Sequence, residues 1–299
     1  MDKKIIIKTV LTLLWMLSIC WASGGTKGCE SQKSSGTKPP DEVKADAVDT
    51  VLQQLNKKAQ ELKSYQAQIE YKFIQPLLFG SETLRKGTLY YTRSGKKSKM
   101  RINFETLKEE DEEEEKYAVQ YIVLDGVCLS GPDDQFEGIW LVHIDYELKG
   151  VKYYQLAELN DPNEPVDAFD LASRNLPMIG FTKIEDLKKQ FEVTLVEQKK
   201  GKGEDFIQVH LKVKPNSIYK DDYVSIDFWI DKKLGLPAKV VAVSTEPATE
   251  PVEQKDISEI KFLRPKVNKI IDKKVFDFKL SKDFGEPEII PLKKNGEQK

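Results

Sequence analysis

Apolar residues near the start of the chain recur with the period of an α-helix. Steps of three and four place them on one face, while Gln, Lys and Glu occupy the other. The residues that share this spacing are Val48, Val51, Leu52, Leu55, Ala59 and Leu62. The pattern predicts an amphipathic helix whose apolar stripe is buried against the elements that follow it.

From Ser64 onward the apolar period changes to two, which is typical of strands with one buried face. The first alternating set is Tyr65, Ala67, Ile69, Tyr71 and Phe73. Further alternating segments cover residues 87–93, 100–104, 117–124, 139–146, 151–156, 191–197, 207–213, 224–230, 238–245, 257–263 and 275–280. Short turns between them favour a mainly β protein, built as a single curved antiparallel sheet of about eleven strands.

Two short helices interrupt the run of strands. Residues 166–172 follow a segment rich in Asn, Asp and Pro, and a second helix begins at Thr182, where Thr182 and Glu185 have the spacing of a capping box. We expect these helices and the N-terminal helix to cover the apolar face of the curved sheet.

The first residues have the order of a secretory signal peptide. Lys3, Lys4 and Lys8 precede an apolar stretch from Thr9 to Cys20, after which small residues follow. We therefore assign residues 1–28 to a signal peptide, 29–46 to a flexible linker, 47–293 to one β domain and 294–299 to a tail. The mature chain is expected outside the cytoplasm, in the periplasm or cell envelope.

Two cysteines are candidates for a lipid anchor. Cys29 begins a polar stretch of the kind that follows a lipidated cysteine, whereas Cys20 follows an apolar segment. Neither has the full motif, so Cys29 or Cys20 remains open as the lipidation site. A disulfide between Cys29 and Cys128 is a further alternative in an oxidising compartment.

Composition and motifs give no indication of nucleic-acid binding or catalysis. Lys and Arg number 47, Asp and Glu number 49, and the net charge is −2; phosphate binding needs a concentrated basic face. The two histidines, His143 and His210, and the absence of a Cys-x-x-Cys pair give no transition-metal spacing. We expect no enzyme activity, no metal and no cofactor.

The segment from Ser64 to Glu70, directly after the amphipathic helix, resembles the first strand of the outer-membrane lipoprotein carrier family (LolA-like). The segment from Gly87 to Arg93 is similar to that family's Gly-x-Leu-x-x-x-Arg-Pro strand, although Ser94 stands in place of the proline. The family's hairpin glycine corresponds to either Gly126 or Gly138, and the spacing of the following strands favours Gly138.

The second half of the chain resembles the same family in pattern. Residues 226–231 followed by Leu236 and Pro237 are similar to its strand, Asp turn and Leu-Pro unit, and residues 271–278 are similar to its final strand. The resemblance implies an unclosed β-barrel with a helical lid over an apolar cavity.

The resemblance also implies a function and a set of site residues. The cavity would bind acyl chains of lipoproteins or lipids, exchanged with inner- and outer-membrane lipoprotein-sorting proteins. Arg93 would hold the lid closed through hydrogen bonds. The residues expected to line the cavity are Phe73, Leu89, Tyr91, Ile102, Phe104, Trp140 and Trp229. Alternatives are an envelope stress-sensing regulator of the same fold and a structural surface lipoprotein.

Overall fold

A computed structural model describes residues 40–78, 80–95, 97–128, 135–157, 184–196 and 205–291. The predicted signal peptide, Cys20, Cys29 and the predicted helix at 166–172 lie outside these residues. Within the described ranges, no helix combines the length and apolar character that a membrane crossing requires.

Among the described residues, two α-helices lie on the inner side of the sheet: α1 (Pro40–Glu61) and α2 (Ile184–Gln190). Helix α1 begins at Pro40, inside the stretch predicted as linker, because proline is well tolerated in the first turn of a helix. The stripe on α1 is buried as predicted, with Leu52 and Leu55 facing the core. An ion pair between Lys188 and Asp49 joins the two helices.

In the part of the chain that the structure describes, twelve strands form one sheet. Their bounds are β1 (Ser64–Gln75), β2 (Ser81–Ser94), β3 (Lys97–Glu109), β4 (Glu115–Cys128), β5 (Gln135–Asp145), β6 (Gly150–Ala157), β7 (Phe191–Val196), β8 (Phe206–Val213), β9 (Tyr223–Asp231), β10 (Leu236–Ser244), β11 (Ile257–Val267) and β12 (Glu288–Ile290). Their order is β12-β6-β5-β4-β3-β2-β1-β11-β10-β9-β8-β7. The predicted fold class, a curved and unclosed antiparallel sheet, is confirmed.

The sheet consists of two meanders joined by one ladder. Strands β1–β6 and β7–β11 each pair in chain order, and β1 pairs with β11 over the register from Tyr65–Val267 to Ile74–Ile257. Strand β12 returns to pair in parallel with β6. The chain therefore brings its first and its eleventh strands together in the middle of the sheet.

A second apolar layer covers the outer face of strands β4–β6. Its buried residues are Ile122, Trp140, Val142, Ile144, Val151 and Tyr153, against which Phe278, Leu280 and Phe284 pack. The Arg101 guanidinium fastens this C-terminal segment by donating to the carbonyl oxygens of Val275 (2.6 Å) and Asp277 (2.8 Å).

The prediction of a strand at 275–280, taken as the family's final strand, is wrong. Residues Lys273–Phe276 form a short 3₁₀ helix, and no strand follows until β12. The apolar alternation that suggested a strand has another origin, since Phe278 and Leu280 pack onto the outer face of the sheet without pairing into it.

Neither candidate hairpin glycine lies at a turn. Gly126 is within β4 and Gly138 is within β5, at a φ of 96°, and the connection between these strands falls in residues 129–134, outside the described part. The register of β4 and β5 shifts between Asp125 and Val127. Both glycines therefore lie in a stretch where the pairing of β4 with β5 is irregular, and not in the hairpin turn that the sequence suggested.

Gly87 permits a close approach between β2 and β3. A Cβ atom at this position would lie 1.8 Å from the carbonyl oxygen of Asn103 and 2.8 Å from the Cα of Phe104. The register of the two strands shifts here, between Lys86 and Gly87. Such bulges bend a strand and increase its twist, so the glycine of the Gly-x-Leu motif allows the sheet to curl.

The substitution Gly87→Ala should destabilise the protein by about 3 kcal/mol, because the added methyl group overlaps backbone atoms that cannot rotate away. Urea denaturation measures this change. The matched control is Gly150→Ala, where an added Cβ meets no atom within 4 Å, and its effect should stay within about 0.5 kcal/mol. Equal denaturation midpoints for the two variants would contradict the role of Gly87.

Candidate functional site

The inner face of β2 carries an apolar centre with an arginine at each end. Alternation places Arg85, Gly87, Leu89, Tyr91 and Arg93 on the same side of the strand. Leu89 and Tyr91 are fully buried, Arg85 is buried and Arg93 is half-buried. The two arginines therefore mark the two ends of an apolar row.

The apolar row continues across the neighbouring strands. Leu89 pairs with Ile102, Tyr91 pairs with Met100, and Met100 pairs with Val123. We call these five residues the apolar floor; none is more than 1% exposed. The floor has aliphatic and aromatic side chains with one hydroxyl, which suits hydrocarbon better than a polar ligand.

The structure groups five of the seven residues predicted to line the cavity. Leu89, Tyr91 and Ile102 belong to the apolar floor, and Phe104 lies beside it in the same buried cluster. Phe73 continues the inner row of β1 beyond Tyr71 and is half-buried.

Two residues of that prediction, Trp140 and Trp229, lie on the opposite face. Trp140 belongs to the outer apolar layer. Trp229 lies between the inward-facing Phe228 and Ile230, and its ring is 3.9 Å from the Nζ atom of Lys239 on the outer side. Both faces of β5 carry apolar residues, so alternation could not orient Trp140. In β9 the alternation of Phe228 and Ile230 already indicates the opposite face for Trp229, and the prediction did not follow it.

Arg93 lies where helix α1 ends. Its Nη1 atom is 3.5 Å from the carbonyl oxygen of Gln60 in the last turn of the helix, and its guanidinium is 5.9 Å from the ring centre of Tyr91. A cation is favourable at this position because the last carbonyls of a helix carry partial negative charge.

A polar cluster occupies the inner face at the other end of β2. We call it the inner polar cluster, and it consists of Tyr71, Arg85, Tyr117, Tyr121, His143 and Asp145. The Arg85 guanidinium lies 5.3 Å from the ring centre of Tyr117, whose hydroxyl donates to Oδ2 of Asp145 at 3.2 Å. The other carboxylate oxygen accepts from the backbone amides of Glu147 and Leu148.

The imidazole of His143 is packed flat against Tyr121. The two rings are 4.8 Å apart and inclined by 10°. Burial lowers the pKa of His143 to about 4; Asp145 opposes this shift, while Arg85 and Lys152 add to it. Burial raises the pKa of Tyr121 to about 12. Both rings are therefore neutral at neutral pH, and the cations that act on this part of the inner face are Arg85 and Lys152.

Sequence reasoning missed the inner polar cluster, although one signal for it was present. Arg85 shares the alternation of Leu89 and Tyr91 in the same way as Arg93. A charge on an apolar face is costly unless it is compensated, and this argument applies to both arginines. In the described part of the chain, no group of three or more His, Cys, Asp or Glu residues could hold a metal ion.

No family model and no curated protein matches the sequence. The fold is similar to solved structures of a DUF1329 family protein from Desulfovibrio piger (TM-score 0.39, 11% identity, 77% of this chain and 97% of that chain) and of a putative outer membrane lipoprotein-sorting protein domain from Vibrio parahaemolyticus (0.37, 12%, 77% and 97%). A LolA superfamily protein from Nitrosomonas europaea is also similar (0.32, 12%, 79% and 98%).

These neighbours include the family that the sequence resembles. The unclosed sheet with an N-terminal helix packed on its inner side is the architecture that the resemblance implied. The similarity concerns the fold alone, so the function must be argued from the residues of this chain.

The lowered pKa of His143 predicts a pH dependence of stability. Above pH 6.5 both the folded and the unfolded chain hold this histidine neutral, whereas between pH 6.5 and about 4 only the unfolded chain binds the proton. Stability should therefore fall as the pH falls through this window, by at most about 1.4 kcal/mol per pH unit from this group.

The variant His143→Phe keeps the stacked ring and removes the titrating group, so its unfolding free energy should depend less on pH in this window. Urea denaturation at several pH values gives the comparison. The control His210→Gln removes the half-exposed histidine on the outer face and separates the effect of the buried ring from that of losing any histidine. An unchanged slope in His143→Phe would show that other groups cause the pH dependence.

Proposed function

We propose that this protein is an exported carrier of the cell envelope that binds acyl chains of lipoproteins or lipids for transport to the outer membrane. The ligand chains lie on the inner face of the curved sheet, beneath helix α1. The observation that carries the proposal is the apolar floor: an unclosed sheet presents a continuous, nearly pure hydrocarbon surface on the side where its helices pack.

The contacts of helix α1 are compatible with movement of this helix away from the sheet. Helix α1 makes its closest approaches to β7, β10 and α2, and its polar link to α2 is an ion pair between two half-exposed side chains, Lys188 and Asp49. Ion pairs of this kind contribute little to stability. Displacing the helix therefore costs mainly the apolar contacts of its stripe, and bound acyl chains would replace those contacts.

The energetics of binding favour hydrocarbon without specific polar contacts. Each buried methylene group contributes about 0.8 kcal/mol, and micromolar affinity needs about 8 kcal/mol. Roughly ten buried methylenes, about the length of one acyl chain, supply that amount before the costs of association. The predicted partners are acylated lipoproteins or lipids, together with the membrane proteins that deliver and receive them.

Two alternatives make a different prediction. A stress-sensing regulator of the same fold would bind a protein through its surface, and a structural surface lipoprotein needs no ligand. Neither requires the inner face to take up free lipid. Saturable lipid binding therefore separates the carrier from both.

The protein should bind a fluorescent fatty acid saturably, with micromolar or tighter affinity, in a titration monitored by fluorescence. Phe73→Ser should weaken binding about fivefold, because a half-buried aromatic ring on the inner row contributes about 1 kcal/mol of apolar contact. The matched control is Trp229→Ser, which removes an aromatic ring from the outer face. No saturable binding, or equal losses in both variants, would contradict the carrier proposal.

We further propose that Arg93 stabilises the closed position of α1 when no ligand is bound. The contact between its guanidinium and the Gln60 carbonyl, at 3.5 Å, joins the end of the helix to the end of β2. A cation at a helix C-terminus contributes about 0.3–1 kcal/mol. Loss of this contact favours the open, ligand-binding position of the helix.

The substitution Arg93→Leu keeps much of the side-chain bulk and removes the donors. It should slow the release of a bound fluorescent fatty acid about two- to fivefold, since the closed state loses stability relative to the open one. Stopped-flow transfer to acceptor vesicles measures the rate, and Arg264→Leu, at an exposed position on β11, is the control for loss of charge. Equal release rates in wild type and Arg93→Leu would exclude this role.

A further inference from the structure

Two arginines of the sheet, Arg85 and Arg101, are about equally buried, but their guanidinium groups differ in the hydrogen-bond acceptors around them. Arg101 is 8% exposed and donates to Asn103, Gln120, Val275 and Asp277, at distances of 2.6 to 2.8 Å. Arg85 is 9% exposed, and among the described residues its guanidinium contacts the ring of Tyr117. Within the described residues, no oxygen accepts a hydrogen bond from Arg85 and no carboxylate forms an ion pair with it.

Asp145, the acidic residue of the inner polar cluster, forms no ion pair with Arg85. Asp145 already accepts from the hydroxyl of Tyr117 and from the amides of Glu147 and Leu148. The ring of Tyr117 compensates the charge of Arg85 in part, through a cation–π contact. No protein oxygen among the described residues accepts from the guanidinium, so its donors are open to solvent or to a ligand.

A second polar group close by is also unsatisfied. The hydroxyl of Tyr223 is buried and has no hydrogen-bond partner. It lies within electrostatic range of Tyr71, and Tyr71 lies within range of Arg85. The charge of Arg85 also acts on Tyr121 and His143. A cation and neutral hydroxyl donors thus converge on one region of the inner face.

Because this region continues into the apolar floor, we propose that Arg85 binds the anionic head of an acylated ligand, a carboxylate or phosphate, whose chain lies on the floor. Arg85 and Leu89 are four residues apart on one strand face, about 13 Å along the strand, so head and chain would lie along β2. A guanidinium binds either anion through two parallel hydrogen bonds. This inference rests on the proposed carrier function and gives its ligand a class: an anionic amphiphile.

The test compares oleate with oleyl alcohol, which share a hydrocarbon chain and differ in the head, by calorimetry at mildly alkaline pH. Wild type should bind oleate at least tenfold more tightly than oleyl alcohol. Arg85→Gln should lose this preference and still bind oleyl alcohol as wild type does, whereas Arg85→Lys should keep part of it. Arg264→Gln removes a positive charge from the surface and should retain the full preference.

A melting curve of each variant shows whether it is folded and so distinguishes a loss of binding from a loss of structure. Arg85→Gln should melt at or above the wild-type temperature without ligand, because it removes a buried charge that lacks an acceptor, and oleate should no longer stabilise it more than oleyl alcohol does. If Arg85→Gln fails to fold without ligand, Arg85 is a structural residue and the inference is overturned.

Two further outcomes would contradict the inference, and they differ in whether the carrier function also fails. If oleyl alcohol and oleate bind equally to wild type, the anion site is absent while the carrier function stands. If neither binds, the carrier function fails as well. Acetate and inorganic phosphate form a separate arm: they should not bind measurably alone, and Arg85-dependent binding of either would identify a site for free anions and overturn the assignment to an amphiphile.

Discussion

The ladder between β1 and β11 is the interaction on which the whole sheet depends. It joins strands from opposite ends of the described chain, and without it the two meanders would be separate sheets with exposed central edges. Its end is fixed by Asn268, whose side-chain oxygen accepts from the amides of Lys63 (2.7 Å) and Ser64 (3.3 Å). Because contacts this distant in sequence form slowly, we expect each meander to form before the ladder joins them.

Once the ladder is formed, the chemistry of the inner face changes from one end of β2 to the other. Arg93 and the end of helix α1 lie at one end of β2, the apolar floor lies in the middle, and Arg85 with its aromatic neighbours lies at the other end. Such a polarity along one strand is more than a packed core requires, since a core of the same size could be wholly apolar. The two buried arginines differ in the same sense. Arg101 has four hydrogen-bond acceptors, whereas Arg85 has none among the described residues.

Periodicity predicted the parts of the fold in which one face is buried and the other is solvated. Helix α1 and strand β1 were read correctly for this reason. It failed at Trp140, where both faces of β5 are apolar, and at residues 275–280, which alternate because they pack on the sheet without pairing into it. For Trp229 the alternation of Phe228 and Ile230 indicated the outer face, and the prediction did not follow it. The inner polar cluster could not be assembled from sequence, because its members come from four strands whose register only the folded chain defines.

The outer apolar layer makes the two halves of the sheet mechanically unequal. Strands β4–β6 are held between apolar contacts on both sides, whereas the outer face of β8–β11 carries solvated pairs such as His210 with Asp227 and Lys239 with Glu259. Bending β4–β6 would disrupt two packed layers, and bending β8–β11 only one. We therefore expect β4–β6 to be the stiffer part of the sheet, and any change of its curvature to take place in β8–β11.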